Sequence, residues 1–292
     1  MIKTLIYKAK CIRMLFVSDE KYLKKRFIKK LGYIPDFKQP KTFNEKVTAR
    51  MIFDRSTVYT TLADKYAVRE FIVNKIGEQY LVPLIGVYRN FNEIDFMQLP
   101  QRFVLKCTHD SGSAIICKNK QHFDWSVAIK KTNANLQQNM YYRKREWHYK
   151  DILPQILIED YVELYRDPTT QSIITTCRVH CFEGQAKYVE VDVYAADGVE
   201  YSNIYDESWS LQPFTVDLKQ NTPISIAQPS QFKKMWQLAE KLCFLDGYSR
   251  IDFLLSTDHV FFSEITLTPN TGRMVISPPE WDHKLGQFWH SF

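Results

Sequence analysis

Arg250-Ile251-Asp252-Phe253-Leu254-Leu255 and Val260-Phe261-Phe262-Ser263-Glu264-Ile265-Thr266 decide how this chain is read. Both runs have the apolar and aromatic content of buried strands, and each carries one carboxylate. A carboxylate flanked by Ile251 and Phe253 is costly to bury unless it is paired or binds a cation. A short polar turn separates the runs, so they read as an antiparallel hairpin. With a two-residue loop Asp252 faces Ser263 and Glu264 points to the other face. With the three-residue loop Thr257-Asp258-His259, Asp252 lies opposite Glu264. That second register brings two carboxylates within reach of one Mg²⁺, a hard cation that takes oxygen ligands. It also gathers Ile251, Phe253, Leu255, Phe261 and Ile265 on one buried face, so packing and metal binding want the same odd-length turn. The plain alternative is two solvated strand carboxylates.

Upstream, Phe103-Val104-Leu105-Lys106 reads as a strand that ends in a lysine. It is followed by the polar loop Thr108-His109-Asp110-Ser111-Gly112-Ser113 and a second strand, Ala114-Ile115-Ile116-Cys117. Ser111-Gly112-Ser113 can offer backbone N–H groups and hydroxyls to phosphate, with Gly112 permitting close approach. The Walker pattern is absent. His109 either meets a phosphate or caps the loop. Ile156-Leu157-Ile158-Glu159-Asp160-Tyr161-Val162 is a further buried strand with an acidic end, a segment able to present backbone groups and a carboxylate to an adenine edge.

The remaining elements frame these. Residues 1–31 read as helical and basic, with Leu23, Phe27 and Leu31 on one face and Gly32 as the stop. Such a helix either packs on the protein or lies on a membrane surface. Thr42 and Glu45 have capping-box spacing, so a helix starts there. The pattern further predicts a helix over 64–75, a buried strand over 81–88, helix over 124–148, paired strands over 172–194 turning at Gly184, an irregular stretch over 195–228 and a helix over 230–245. Strands and helices in this order indicate an α+β protein.

The composition bounds the rest. The 292 residues carry 39 basic and 33 acidic side chains, a net charge of +6. That is short of a dedicated nucleic-acid binder, though it favours anionic substrates or an anionic membrane surface. Six cysteines without metal-type pairing point to reduced thiols in the cytoplasm. No signal peptide is evident, and no apolar segment approaches the ~20 residues of a membrane span.

In their order these pieces resemble the ATP-grasp superfamily. The matching residues are Asp64-Lys65, Lys106, Ser111-Gly112-Ser113, Glu159-Asp160-Tyr161-Val162, Arg250-Ile251-Asp252 and Glu264. The resemblance implies an ATP-grasp fold, with two α+β lobes gripping ATP and a helical N-terminal extension. The corresponding division is 1–60, 61–155 and 156–292. By the same resemblance Lys65 and Lys106 hold phosphates, Asp160 and Val162 give backbone contacts to adenine, and Glu159 reaches its amino group. Asp252 and Glu264 bind Mg²⁺, and Arg250 stabilises the transferred phosphoryl group. The superfamily usually has Glu-x-Asn in its last strand, where this chain has Glu264-Ile265-Thr266. Thr266 still offers an oxygen, and Asn270 in the following loop is a substitute.

A closer resemblance is to the TupA-like (teichuronopeptide biosynthesis) branch. It is carried by Pro40-Lys41-Thr42-Phe43-Asn44-Glu45-Lys46, Asp64-Lys65-Tyr66-Ala67-Val68-Arg69-Glu70, Glu146-Trp147-His148-Tyr149 and Asp282-His283-Lys284-Leu285-Gly286. Members of that branch occur with capsule and other surface-polysaccharide genes. The implied reaction couples an amino acid to a uronic acid carboxylate through an acyl phosphate. Arg178 and Arg273 are the expected cations for the substrate carboxylates, and Trp147 and Tyr149 either stack on a sugar or pack. A sugar kinase using the same ATP site and a glycosyltransferase using none are the alternatives. The basic first residues hint at the inner face of a membrane.

Overall fold

The computed structural model describes residues 2–291; Met1, at the head of the expected extension, and Phe292, at the end of the expected last lobe, lie outside the described residues. Five helices come first: α1 (Ile2–Met14), α2 (Asp19–Leu31), α3 (Phe43–Phe53), α4 (Val58–Ala63) and α5 (Val68–Ile76). Then follow β1 (Leu84–Tyr88), β2 (Phe103–Cys107), β3 (Ile115–Cys117), α6 (Trp125–Leu136), α7 (Met140–Lys144) and β4 (Ile156–Asp160). The last stretch holds β5 (Ile173–Phe182), β6 (Gln185–Tyr194), β7 (Glu200–Tyr205), β8 (Thr215–Val216) and α8 (Phe232–Leu242). It ends with β9 (Tyr248–Leu255), β10 (Val260–Thr266), β11 (Ile276–Ser277) and α9 (Glu280–Gln287).

The chain divides into two compact units. One comprises residues 1–23, 51–71 and 82–161, the other 24–50, 72–81 and 162–292. The first is built on an antiparallel sheet ordered β1-β4-β2-β3. Phe103, Leu105, Ile156 and Ile158 face its core, where Phe91, Ile94 and Leu99 join them. Removing such side chains from water is the main stabilising term. The strand expected over 81–88 begins only at Leu84 and is half-exposed. Pro83 cannot donate to a ladder, and β1 is an edge strand, so it is not the buried strand that its apolar sequence suggested.

The second unit is built on the antiparallel sheet β10-β9-β5-β6-β7. The turn between β5 and β6 needs two left-handed residues, Glu183 and Gly184. α8 buries Met235, Leu238, Ala239 and Leu242. Part of the stretch expected to be irregular is ordered, because β7 pairs along β6 as an edge strand. Short edge strands with polar residues, here Glu200, Ser202 and Asn203, lack the apolar alternation by which strands are recognised.

α3 begins with the expected capping box: Thr42 Oγ1 accepts from Glu45 N at 3.2 Å, and Glu45 Oε2 accepts from Thr42 N at 3.0 Å. Glu45 also takes the amides of Lys41 and Asp36. Farther along, the helix predicted from Asp64 starts at Val68. Asp64 accepts from the amides of Tyr66 and Ala67, which holds Lys65 in a turn ahead of α5. Thr42→Ala should lower unfolding stability by about 1 kcal/mol. Glu45→Ala should cost more, because it strands several amides. Urea denaturation of the two variants checks the order.

Candidate active site

The first unit gathers most of the residues expected to meet the nucleotide. Lys65 is tied to the loop after β2 twice, its amide donating to Thr108 O at 3.1 Å and its ammonium to Asp110 O. Gly112 has φ +81° and stands exposed at the tip with Ser111, a conformation that favours glycine. Ser113 turns inward instead, its hydroxyl accepting from Cys107 N at 2.9 Å, so it closes the loop. His109 is buried, with Nε2 3.0 Å from Gln138 O and 3.2 Å from Asn135 O at the end of α6. Of its two expected roles, the geometry is that of a loop anchor.

Glu159 is not free to reach outward. Its carboxylate takes Lys106 Nζ at 2.7 Å and Arg69 Nη1 at 2.8 Å, a largely buried triad. β2 and β4 are paired so that Lys106 and Glu159 lie diagonally across the ladder on one face. Asp160 N donates to Pro83 O, so a contact from this backbone position to a ligand would use its carbonyl. Tyr161 lies under the Arg102 guanidinium, 5.0 Å from its ring centre. Val162, the last residue of the expected hinge, is the first residue of the second unit in this part of the chain. Trp147 packs beside Tyr59 and under Arg55.

One face of the five-stranded sheet carries the remaining charges. Arg250 grips Asp252 with two hydrogen bonds, Nε to Oδ1 at 2.7 Å and Nη2 to Oδ2 at 2.6 Å. The same Nη2 donates to Thr266 Oγ1 at 3.0 Å and lies 3.9 Å from Glu264 Oε1. On the neighbouring strands Arg178 pairs with Glu190 at 2.8 Å and with Asp192. Lys219 reaches Asp192 at 2.6 Å, and Tyr248 Oη lies 2.9 Å from His180 Nδ1. Glu190, Asp192 and Lys219 were not singled out from the sequence. The alternation of Glu190 and Asp192 with Val189, Val191 and Val193 is the signal that was there to find. Lys219 lay in the stretch read as irregular.

Asp252 does pair with Glu264, but the turn is not the odd-length one expected. Leu255 pairs with Val260, so the turn holds Ser256, Thr257, Asp258 and His259. A bulge at Ser263 then shifts the register, and Glu264 comes opposite Asp252. One consequence corrects the packing: Phe262, paired with Phe253, takes the buried face that Phe261 was expected to occupy.

Past β10, Asn270 and Thr271 are left-handed at φ 48° and 55°. Asn270 is exposed and its amide donates to Asp217, away from the role of substitute ligand. Gly272 lies so close to α3 that an added Cβ would fall 2.9 Å from Asn44 O. Asn44 holds the same loop, bonding Met274 through both backbone groups and taking a cap from Asp282. Arg273 donates to Thr271 O at 3.1 Å.

The TupA-like ATPgrasp family pattern matches residues 45–290. The chain belongs to that family. It has the ATP-grasp fold, α+β with a helical N-terminal segment. No curated protein matches it. Among solved structures it is similar to an L-amino acid ligase from Bacillus licheniformis (10% identity, 89% of this chain and 57% of that chain, TM-score 0.48). It is also similar to a D-alanine–D-alanine ligase from Bacillus anthracis complexed with ATP (15%, 71% and 55%, TM-score 0.37). A third is a RimK domain ATP-grasp protein from Sphaerobacter thermophilus (13%, 83% and 68%, TM-score 0.40). The chain spans little more than half the length of the first two.

For a TupA-like ATP-grasp chain the group to test is Mg²⁺, and the donor set fits. Asp252 Oδ2, Thr266 Oγ1 and the more distant Glu264 Oε1 surround one cationic nitrogen of Arg250. Among the described residues no group of three or more His, Cys, Asp and Glu is placed to hold a metal. Mg²⁺ is commonly held by one or two carboxylates, with phosphate oxygens and waters completing its shell. Burial pushes Asp252 up to about 6, against the pull of Arg250. Burial also raises Glu190, but the nearby His180 imidazole and the charges of Arg178 and Arg250 outweigh it and hold Glu190 far below the usual carboxylate range.

Arg250→Met leaves Asp252 buried, at 3% exposure, without its cation. It should cost about 3–5 kcal/mol of unfolding free energy in urea. Glu190 has a lowered folded pKa, so its stabilisation is complete above the unfolded value of about 4.3 and is lost as pH falls toward the folded one. Glu190→Gln should therefore flatten the acid side of the Tm-versus-pH curve below about 4.3.

Proposed function

We propose that this chain is an ATP-dependent, ADP-forming carboxylate–amine ligase. It would activate the carboxylate of a uronic acid as an acyl phosphate and couple it to an amino acid, in capsule or other surface-polysaccharide biosynthesis. The observation that carries the reading is the oxygen cluster of Asp252, Glu264 and Thr266 around Arg250 on one sheet face. Membership of the TupA-like ATP-grasp family supports it.

Asp252 and Glu264, with Thr266 as a neutral oxygen, would hold Mg²⁺, which neutralises phosphate charge when bound. Lys65, Lys106 and the amides of the Ser111-Gly112-Ser113 loop would hold phosphate oxygens. Glu159, Asp160, Tyr161 and Val162 would line the adenine. Arg250 would stabilise the phosphoryl group in transfer, and Arg178 and Arg273 would take the substrate carboxylates.

The reaction has two balanced steps. A carboxylate oxygen forms a bond to the γ-phosphorus while the bond to the bridging oxygen of ADP breaks. The amine nitrogen then bonds the acyl carbon, the acyl–oxygen bond breaks, phosphate leaves and the amine proton goes to solvent. Aligned cations and exclusion of water from the acyl phosphate suffice, and little acid–base machinery is needed. We place the enzyme in the cytoplasm, at the inner face of the membrane.

Incubation with MgATP, glucuronic or galacturonic acid derivatives and pooled amino acids should give ADP and an amide by mass spectrometry. ADP with a phosphosugar and no amide would mean a kinase. Sugar transfer from a nucleotide sugar without ATP would mean a glycosyltransferase. Glu264→Gln should lower amide formation at least about 100-fold if it holds the cation that stabilises the transition state.

A further inference from the structure

α1 presents two different faces. Tyr7, Cys11 and Met14 are partly buried on one side, where Tyr7 Oη accepts from Asn139 N at 3.1 Å at the start of α7. The opposite side is a stripe at helical spacing, formed by Leu5, Ala9, Ile12 and, in the turn that follows, Phe16. Leu5 is 62% exposed, Ile12 60% and Phe16 81%, with Leu15 beside them at 80%. Lys8 lies on one flank of the stripe and Arg13 on the other. Residues 2–14 include no Asp or Glu.

We propose that this face of α1 docks on an anionic lipid bilayer, lying in the plane of the interface. This deepens the membrane location given above and identifies the element responsible. Apolar side chains left in water at this density mark an interaction surface. Cations flanking an apolar stripe on a helix too short to span suit an interfacial site, where the chains enter the acyl boundary and the cations meet headgroup phosphates. Among the described residues no helix is long and apolar enough to cross a membrane. Charge argues for lipid over a second copy. A symmetric dimer through α1 would bring its flanking cations against their own duplicates, whereas an anionic headgroup layer attracts them.

Co-sedimentation of the full chain with vesicles tests this without ATP or sugar, so failure of the ligase chemistry leaves the result unaffected. Binding should be strong on phosphatidylglycerol/phosphatidylcholine vesicles, weak on phosphatidylcholine alone, and reduced by salt. Leu5→Ser/Ile12→Ser/Phe16→Ser should lower it about ten-fold or more, with an unchanged thermal melt because these side chains contribute little to the folded core. Lys8→Glu/Arg13→Glu should remove the preference for anionic vesicles. Equal binding of the triple variant and the parent would overturn the proposal. So would absence of vesicle binding by the parent, or a parent dimer that the triple variant makes monomeric without any change on vesicles.

Discussion

Burying charge on one face of a sheet is the constraint around which the second unit is arranged. Asp252 is enclosed on a strand where its neighbours Ile251 and Phe253, and Leu255 beyond, are buried as well. An ionised carboxylate there would be costly without a partner. Arg250, two residues away on the same face, meets it with a fork of two hydrogen bonds. Arg178 on β5 does the same for Glu190 and Asp192 on β6. Cations and carboxylates thus alternate across the strands, each compensating the next. The opposite face of the sheet is free to be apolar.

That arrangement explains why the Ser263 bulge matters. A regular ladder from the observed turn would set Ser263 itself opposite Asp252. Inserting one residue into β10 brings Glu264 there and sets Ile265 opposite Ile251 on the buried face. The four-residue turn, ahead of the bulge, has already exchanged Phe262 for Phe261 in the core. Apolar packing and the charge pattern are satisfied together by one extra residue. Neither requirement by itself selects it.

The residues that carry the resemblance to the TupA-like family lie in both units. Asp64-Lys65 and Lys106 lie in the first unit, where Lys65 is bonded to the loop after β2 and Lys106 to Glu159. Asn44, Glu45, Asp282 and Gly286 make backbone contacts in the second unit. Asn44 clasps Met274, Asp282 caps Asn44, and an added Cβ on Gly286 would meet the main chain of Lys41 at 2.3 Å. Asn44 thereby holds the loop that follows the carboxylate hairpin, whereas Glu45 and Gly286 fix the chain that leads into α3.

Local chemistry was readable in advance wherever a short stretch carries its own answer. Thr42 and Glu45 announce a helix start, Gly184 a turn, and Asp252 and Glu264 a charged hairpin, because capping, φ > 0 and buried-charge cost act within a few residues. What the residues of one segment could not reveal was decided by distant partners. Glu159 joins Lys106 with Arg69, which arrives from α5, a pairing that nothing in its own strand announces. Asn270 was read as a metal ligand and is claimed by Asp217. β7 is a strand because β6 offers it an edge. The sequence by itself determined the α+β class and a strand hairpin that carries Asp252 and Glu264. The turn length, the bulge and the partners of each charge were left to the tertiary structure, since a carboxylate's interaction energy depends on which cation the fold brings within a few ångströms.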